Sequence, residues 1–320
     1  MKFIRLIPTF IITLFVIVTA NAQDETIRVE TDLVTVNVAV MDKQGKFVRD
    51  LRQEQFEIFD NRAKQQIAYF SAEKSPVTYG IVYDMHPTTS ERMTAVLDSL
   101  GAFTKNLPDE DRFFLTAFNH YGSLNLDFIP TVEQIEKNLP FDSKTREPNS
   151  LYDAIYAAAN KMRESRSQKK TILIISDGAD HNSRHSFSDL RNQLKTLDVQ
   201  IYAVIFDERE IWAYSDITPG GRRKRISNDA SPLDRVAIQE LTLKSGGSAR
   251  FPTTERGQEL YKIYQQIASE MRRFYTLSFY PVEAADGKWH ELKIGLRSVK
   301  GSKEFALTYR QGYQGFLQKR

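Results

Sequence analysis

The apolar run Tyr79-Gly80-Ile81-Val82-Tyr83 stops at a carboxylate, Asp84, and six residues later a helix-forming stretch begins. Apolar side chains at both odd and even positions suit a strand buried on both faces, and such strands belong to parallel sheets covered by helices. Residues 88–90 offer hydroxyl caps, and Met93, Val96, Leu97, Leu100 and Phe103 form one helical stripe behind them. Open α/β sheets hold their ligands at the carboxyl ends of such strands. Asp84 is therefore the first candidate site residue.

The same alternation continues along the chain. A helix is expected over 90–106, a strand over 112–118 with 124–128 beside it, and a short helix over 132–139 capped by Thr131. Residues 150–163 carry Leu151, Ile155, Ala158 and Met162 at helical spacing, and 171–176 is the most apolar strand, ending in Asp177-Gly178. A helix at 188–197 and a buried strand at 199–206 follow, then a long polar excursion, 207–232, containing the basic run Arg222-Arg223-Lys224-Arg225. A helix over 233–244 closes at Gly246-Gly247, as helix ends often do. An edge strand at 249–251 and a last helix over 256–274 complete the series.

The flanks read differently. Alternating segments at 27–41, 56–59 and 66–70 are short antiparallel strands, and 275–280, 289–298 and 304–309 are three more. Asp286-Gly287-Lys288 and Lys300-Gly301-Ser302 have the composition of hairpin turns. The expected fold class is α/β: a doubly wound, mostly parallel, Rossmann-like sheet inserted in or flanked by a small antiparallel β-sandwich. The expected boundaries are 1–22 for a signal peptide, 23–75 for an N-terminal β module, 76–274 for the α/β domain and 275–320 for strands completing the β module.

Residues 1–22 have the layout of a secretory signal: Lys2 and Arg5, an apolar stretch, then Ala20-Asn21-Ala22 as a small-x-small cleavage site. The rival, an uncleaved anchor, has a short apolar stretch interrupted by Pro8 and Thr9. Export to the periplasm or beyond is expected, with no membrane span after cleavage. The formal charge is only +3 before cleavage removes Lys2 and Arg5, so no general electrostatic case for nucleic acid exists. The 320-residue chain has no cysteine, which excludes disulfides, a thiol nucleophile and thiolate metal sites.

Asp84 and Asp177, the helix start SLYDAI (150–155) and the strand LIISDG (173–178) together resemble a von Willebrand factor type A (VWFA) domain. The flanks VTVNVAVMDKQGKFVRDLRQEQFEIFDN and RRFYTLSFYPVEAADGKWHELKIGLRS, with the helix end from Leu241 to Phe251, resemble the exported VWFA-related Acidobacterial-type group. The resemblance implies a binding and adhesion module without catalytic residues. Its metal-ion-dependent adhesion site would use Asp84 and Asp177, with Thr88 at a hydroxyl position. His86 stands at the first Ser position, and Asn149, beside Ser150, at the Thr position. Oxygen ligands of this kind suit Mg²⁺ or another hard divalent cation, which a partner protein's acidic side chain can then complete. Imidazole is a poor Mg²⁺ ligand and bulkier than a hydroxymethyl group, so His86 opens a second reading: a metal-free structural or assembly protein of the cell envelope.

Blander uses of these residues remain beside the sharp ones. Either aspartate alone can serve a helix N-terminus. His181 and His185 have i, i+4 spacing after Asp177 and Asp180, but no HExxH arrangement accompanies them and zinc is not expected. A hydrolase is the remote alternative; neither a GxSxG elbow nor a Walker loop is present. The basic run at 222–225 reads as a solvated loop, with contact to an anionic surface or proteolytic processing as the other uses.

Overall fold

The fold is that of a computed structural model of the 320-residue chain. It describes residues 33–44, 46–72, 75–85, 90–119, 122–138, 150–167, 169–206, 232–252, 257–282, 286–297 and 305–316. The signal-like segment, His86, Thr88, Asn149, the basic run at 222–225 and the turn at 300–302 lie outside the described residues.

A six-stranded sheet is the centre of the molecule. In chain order its strands are β5 (Val77–Asp84), β6 (Arg112–Asn119), β7 (Gly122–Leu126), β8 (Lys169–Ser176), β9 (Gln200–Ile205) and β10 (Ala249–Arg250). In space they run β10-β9-β8-β5-β6-β7, and every pairing is parallel except β6 with β7. Every residue of β5 is buried, the condition its continuous apolar run calls for. Helices cover both faces. On one, α1 (Ser90–Lys105) and α6 (Gly257–Arg272) pack Leu100, Phe103 and Tyr264 against Tyr79, Ile81 and Tyr83. On the other, α3 (Leu151–Arg163), α4 (Phe187–Lys195) and α5 (Pro232–Ser245) pack Ile155, Leu190 and Ile238 against Val82, Ile172 and Ile174. A further helix, α2 (Val132–Asn138), starts at Thr131, whose hydroxyl accepts from Gln134 N at 3.3 Å.

Two four-stranded antiparallel sheets share a third core built on Val36, Val38, Ile58, Tyr275, Leu277 and Ile294. One contains β1 (Val34–Met41), β4 (Tyr69–Ser71), β11 (Tyr275–Phe279) and β13 (Ala306–Thr308), in the order β13-β1-β11-β4. The other contains β2 (Phe56–Asp60), β3 (Ala63–Gln65), β12 (Trp289–Leu296) and β14 (Gly312–Gln314), in the order β14-β12-β2-β3. β4 and β11 are hydrogen-bonded neighbours, with Ser71 opposite Thr276. The α/β segment therefore leaves and re-enters this layer through two adjacent strands.

One local expectation is corrected. Asp286-Gly287-Lys288 closes no hairpin, because β11 and β12 lie in different sheets. It starts β12 instead, with Asp286 Oδ1 accepting from Lys288 N at 2.8 Å. Residues 63–65, to which the sequence pattern assigns no element, form β3. Asn61 and Arg62 both have positive φ, 46° and 72°, which makes a two-residue hairpin loop between β2 and β3. Among the described residues no helix is long and apolar enough to cross a membrane.

Candidate functional site

The strand order reverses direction between β5 and β8. From β5 the chain proceeds through α1 to β6 on one side, and from β8 through α4 to β9 on the other. The carboxyl ends of β5 and β8 therefore flank a crevice, the position at which open α/β sheets take ligands. Asp84 ends β5 and Asp177 follows β8 directly.

Parallel pairing sets Tyr83 beside Ile175, so the next residues, Asp84 and Ser176, meet. Ser176 Oγ donates to Asp84 Oδ2 at 2.7 Å and lies 3.5 Å from Asp177 Oδ1. The two carboxylate oxygens are thus no farther apart than the sum of those distances. Asp84, Ser176 and Asp177 are 6%, 2% and 5% exposed. Gly178 takes φ +86°, a left-handed conformation that glycine adopts without strain, and this folds the chain back over the strand end. In that turn Gly178 N donates to Ser176 Oγ at 3.0 Å and Ala179 N to Asp177 Oδ1 at 2.9 Å. Ser176 both donates and accepts, and so tethers Asp84 at the strand end.

The segment after β8 grips the start of α3. Asp180 Oδ1 accepts from Tyr152 N at 3.0 Å and from Ser183 Oγ at 2.6 Å, while Ser183 Oγ accepts from Asp153 N at 3.0 Å. These groups satisfy N–H donors that a helix start leaves without intrahelical partners. Ser150, the N-cap residue, makes no side-chain capping hydrogen bond. Asp153 Oδ1 accepts from His185 N at 3.0 Å and lies 2.6 Å from His185 Nδ1, and Asp153 Oδ2 accepts from Arg184 N at 3.1 Å. Burial raises the Asp153 pKa, but the hydrogen bonds from His185 and Arg184 outweigh it and hold the carboxyl below its ordinary range. His185 also stacks on Tyr156, with ring centroids 3.8 Å apart. The structure thus gives His185 a carboxylate partner and an aromatic neighbour.

No protein-family profile matches the sequence, and no curated protein matches it. Among solved structures the chain is similar to an aerotolerance-related membrane protein from Bacteroides fragilis, at 14% identity, covering 61% of this chain and 98% of that one with a TM-score of 0.40. It is similar to BatB from Bacteroides thetaiotaomicron at 14% identity, over 61% and 98% of the two chains, with a TM-score of 0.42. It is also similar to the PilB minor pilin of Streptococcus sanguinis at 7% identity, over 63% and 62%, with a TM-score of 0.35. None of these likenesses assigns a role to a residue here.

Among the described residues Asp84, Ser176 and Asp177 come together here and present oxygens. Paired carboxylates are the chemistry that suits a hard divalent cation. Among the described residues no group of three His, Cys, Asp or Glu side chains is arranged to hold a metal. Sequence reasoning passed over Ser176 and Asp153. A hydroxyl ending a buried strand directly before an aspartate is the signal that could have found Ser176.

Proposed function

We propose that the chain is an exported, non-enzymatic binding module of the VWFA type. It would hold a protein partner at the loop surface around Asp84 and Asp177. The observation that carries this reading is that a single buried hydroxyl, Ser176 Oγ, touches both strand-end carboxylates at the sheet's switch point. The strand order and the helices on both faces support it as well. Asp84 and Asp177 would hold a divalent cation such as Mg²⁺, with Thr88, Ser150 or Asn149 as further oxygen donors and His86 beside them. The cation's chemistry there is electrostatic: it would accept an acidic side chain from the partner.

Calorimetric titration of wild type and Asp84→Ala with Mg²⁺, Mn²⁺ and Ca²⁺ tests the reading. Saturable heat in wild type that is lost in the variant is the expected result; silent, identical titrations remove the cation.

A metal-free structural or assembly role is the second reading. It is favoured by the use of Asp177 Oδ1 in holding Ala179 N and of Asp84 Oδ2 in holding Ser176. On that reading His86→Ser creates cation binding that wild type lacks, and absence of any gain counts against it.

A further inference from the structure

At the opposite end of the parallel strands, where β9 begins, a cavity of about 660 Å³ opens between the carboxyl ends of α4 and α5 and the strand β12. Leu194, Leu197, Leu241 and Leu292 line it as an apolar floor. Five cations, Arg191, Lys195, Lys244, Lys293 and Arg310, converge on it against one lining acid, Glu291. Two more acids reach these cations. Glu240 lies 2.5 Å from Lys244 Nζ and 3.9 Å from Arg191, and Asp198 lies 3.7 Å from Arg310 Nε. Positive charge remains in excess.

Helix carboxyl ends attract cations, which accounts for Lys195 and Lys244 without any ligand. It does not account for Lys293 on a strand, for Arg310 in the link from β13 to β14, or for Arg191 within α4. Among the described residues the Nε atoms of Arg191 and Arg310 are buried without a hydrogen bond, while Arg310 Nη2 donates to Thr35 O and Asp198 lies near its Nε. Trp289 is 41% exposed at the same groove, its ring 5.2 Å from Lys195 Nζ. An aromatic wall, an aliphatic floor and cations at the rim form a site with two chemistries.

We propose that this groove binds a small amphiphilic organic anion, its apolar body on the leucines and Trp289 and its carboxylate among Lys195, Lys293 and Arg310. The volume lies in the range of small-ligand pockets rather than protein interfaces. The inference is independent of the Asp84–Asp177 reading, because the groove occupies the other end of the sheet.

The test uses decanoate below its micelle concentration, read by Trp289 emission in a Trp212→Phe background. Decanol and decyltrimethylammonium carry the same apolar body with no charge or the opposite charge, and acetate carries the charge alone. The expected result is saturable decanoate binding, about tenfold weaker for decanol, and absent for the other two. Lys244→Glu and Lys293→Glu, both at exposed positions, should each weaken decanoate about fivefold with circular dichroism unchanged. The proposal is overturned if decanoate fails to saturate, if decanol or the ammonium compound binds as tightly, or if both charge reversals leave affinity unchanged.

Discussion

Asp84 Oδ2 and Ser176 Oγ are 2.7 Å apart, joining the carboxyl ends of two neighbouring strands from 92 residues apart in sequence. Ser176 is the donor in that bond and the acceptor for Gly178 N, and all of it is buried. Ser176→Ala takes one hydrogen bond from a buried carboxylate and one from a buried N–H. It should lower unfolding free energy by about 2 kcal/mol, measured by urea denaturation. Because Ser176 holds Asp84 in place, the same variant should weaken any cation binding without abolishing it, in contrast to Asp84→Ala.

Glycines in the α/β layer should separate cleanly on substitution by alanine. A Cβ at Gly80 would sit 2.7 Å from Phe114 Cζ and 3.1 Å from Met162 Cε, between β5 and α3. A Cβ at Gly247 would run into the backbone carbonyl of Ile201, which cannot rotate away. Gly101, inside α1, has nothing within 4 Å. Gly101→Ala should therefore raise stability by about 0.5–1 kcal/mol through helix propensity. Gly80→Ala should lower it by about 1–3 kcal/mol, and Gly247→Ala by more. Thermal melts of the three variants should fall in that order.

The contrast between these elements explains what the sequence made legible. β5 and β8 announce themselves because burial on both faces forces continuous apolar runs, and α1 and α3 because their buried stripes have a helical period. Asp84 and Asp177 were legible as strand ends in the same way. β3 and β14 are three residues each and polar on one side, so no periodicity can develop in them. The partition of β11 and β12 between two sheets was hidden because a turn's composition is the same whether or not its strands pair. Ser176 was passed over because its partner is distant in sequence; only the parallel register beside β5 gives it Asp84.

Lys169 opens β8 with its side chain buried and its ammonium 5.8 Å from the Phe274 ring centroid. Burial draws its pKa down to about 8, with Asp111 opposing. Between that value and the ordinary lysine range near 10.4 the unfolded chain holds the proton that the folded chain has lost, so stability from this group rises with pH. The difference in unfolding free energy between wild type and Lys169→Met should grow in favour of wild type across that window. The growth is bounded at about 3 kcal/mol. Urea midpoints taken every half pH unit measure it, and a flat difference would remove the buried ammonium as its source.

His290 should impose the opposite slope at lower pH. Its Nδ1 lies 2.9 Å from Asp60 Oδ1 and its Nε2 3.1 Å from Asp286 Oδ1, so both ring nitrogens face carboxylate acceptors and both are best used as donors. Asn61 Nδ2 is 3.4 Å from the same Nδ1, and Tyr313 stacks on the ring while donating to Asp60 Oδ2 at 2.6 Å. Burial lowers the imidazole pKa, but the hydrogen bonds and charges of Asp60 and Asp286 outweigh it and the net shift is upward. The unfolded histidine deprotonates first, near 6.5. The stabilisation is accordingly complete below that pH and is lost as pH rises through the higher folded value. The free-energy difference between wild type and His290→Gln should shrink from pH 5.5 upward, while Tyr313→Phe, which strips a buried carboxylate of one donor, should cost about 1–3 kcal/mol at either end. A wild-type advantage that stays constant from pH 5.5 to 9 would mean that the folded and unfolded rings titrate alike and that the two carboxylates do not shift the imidazole.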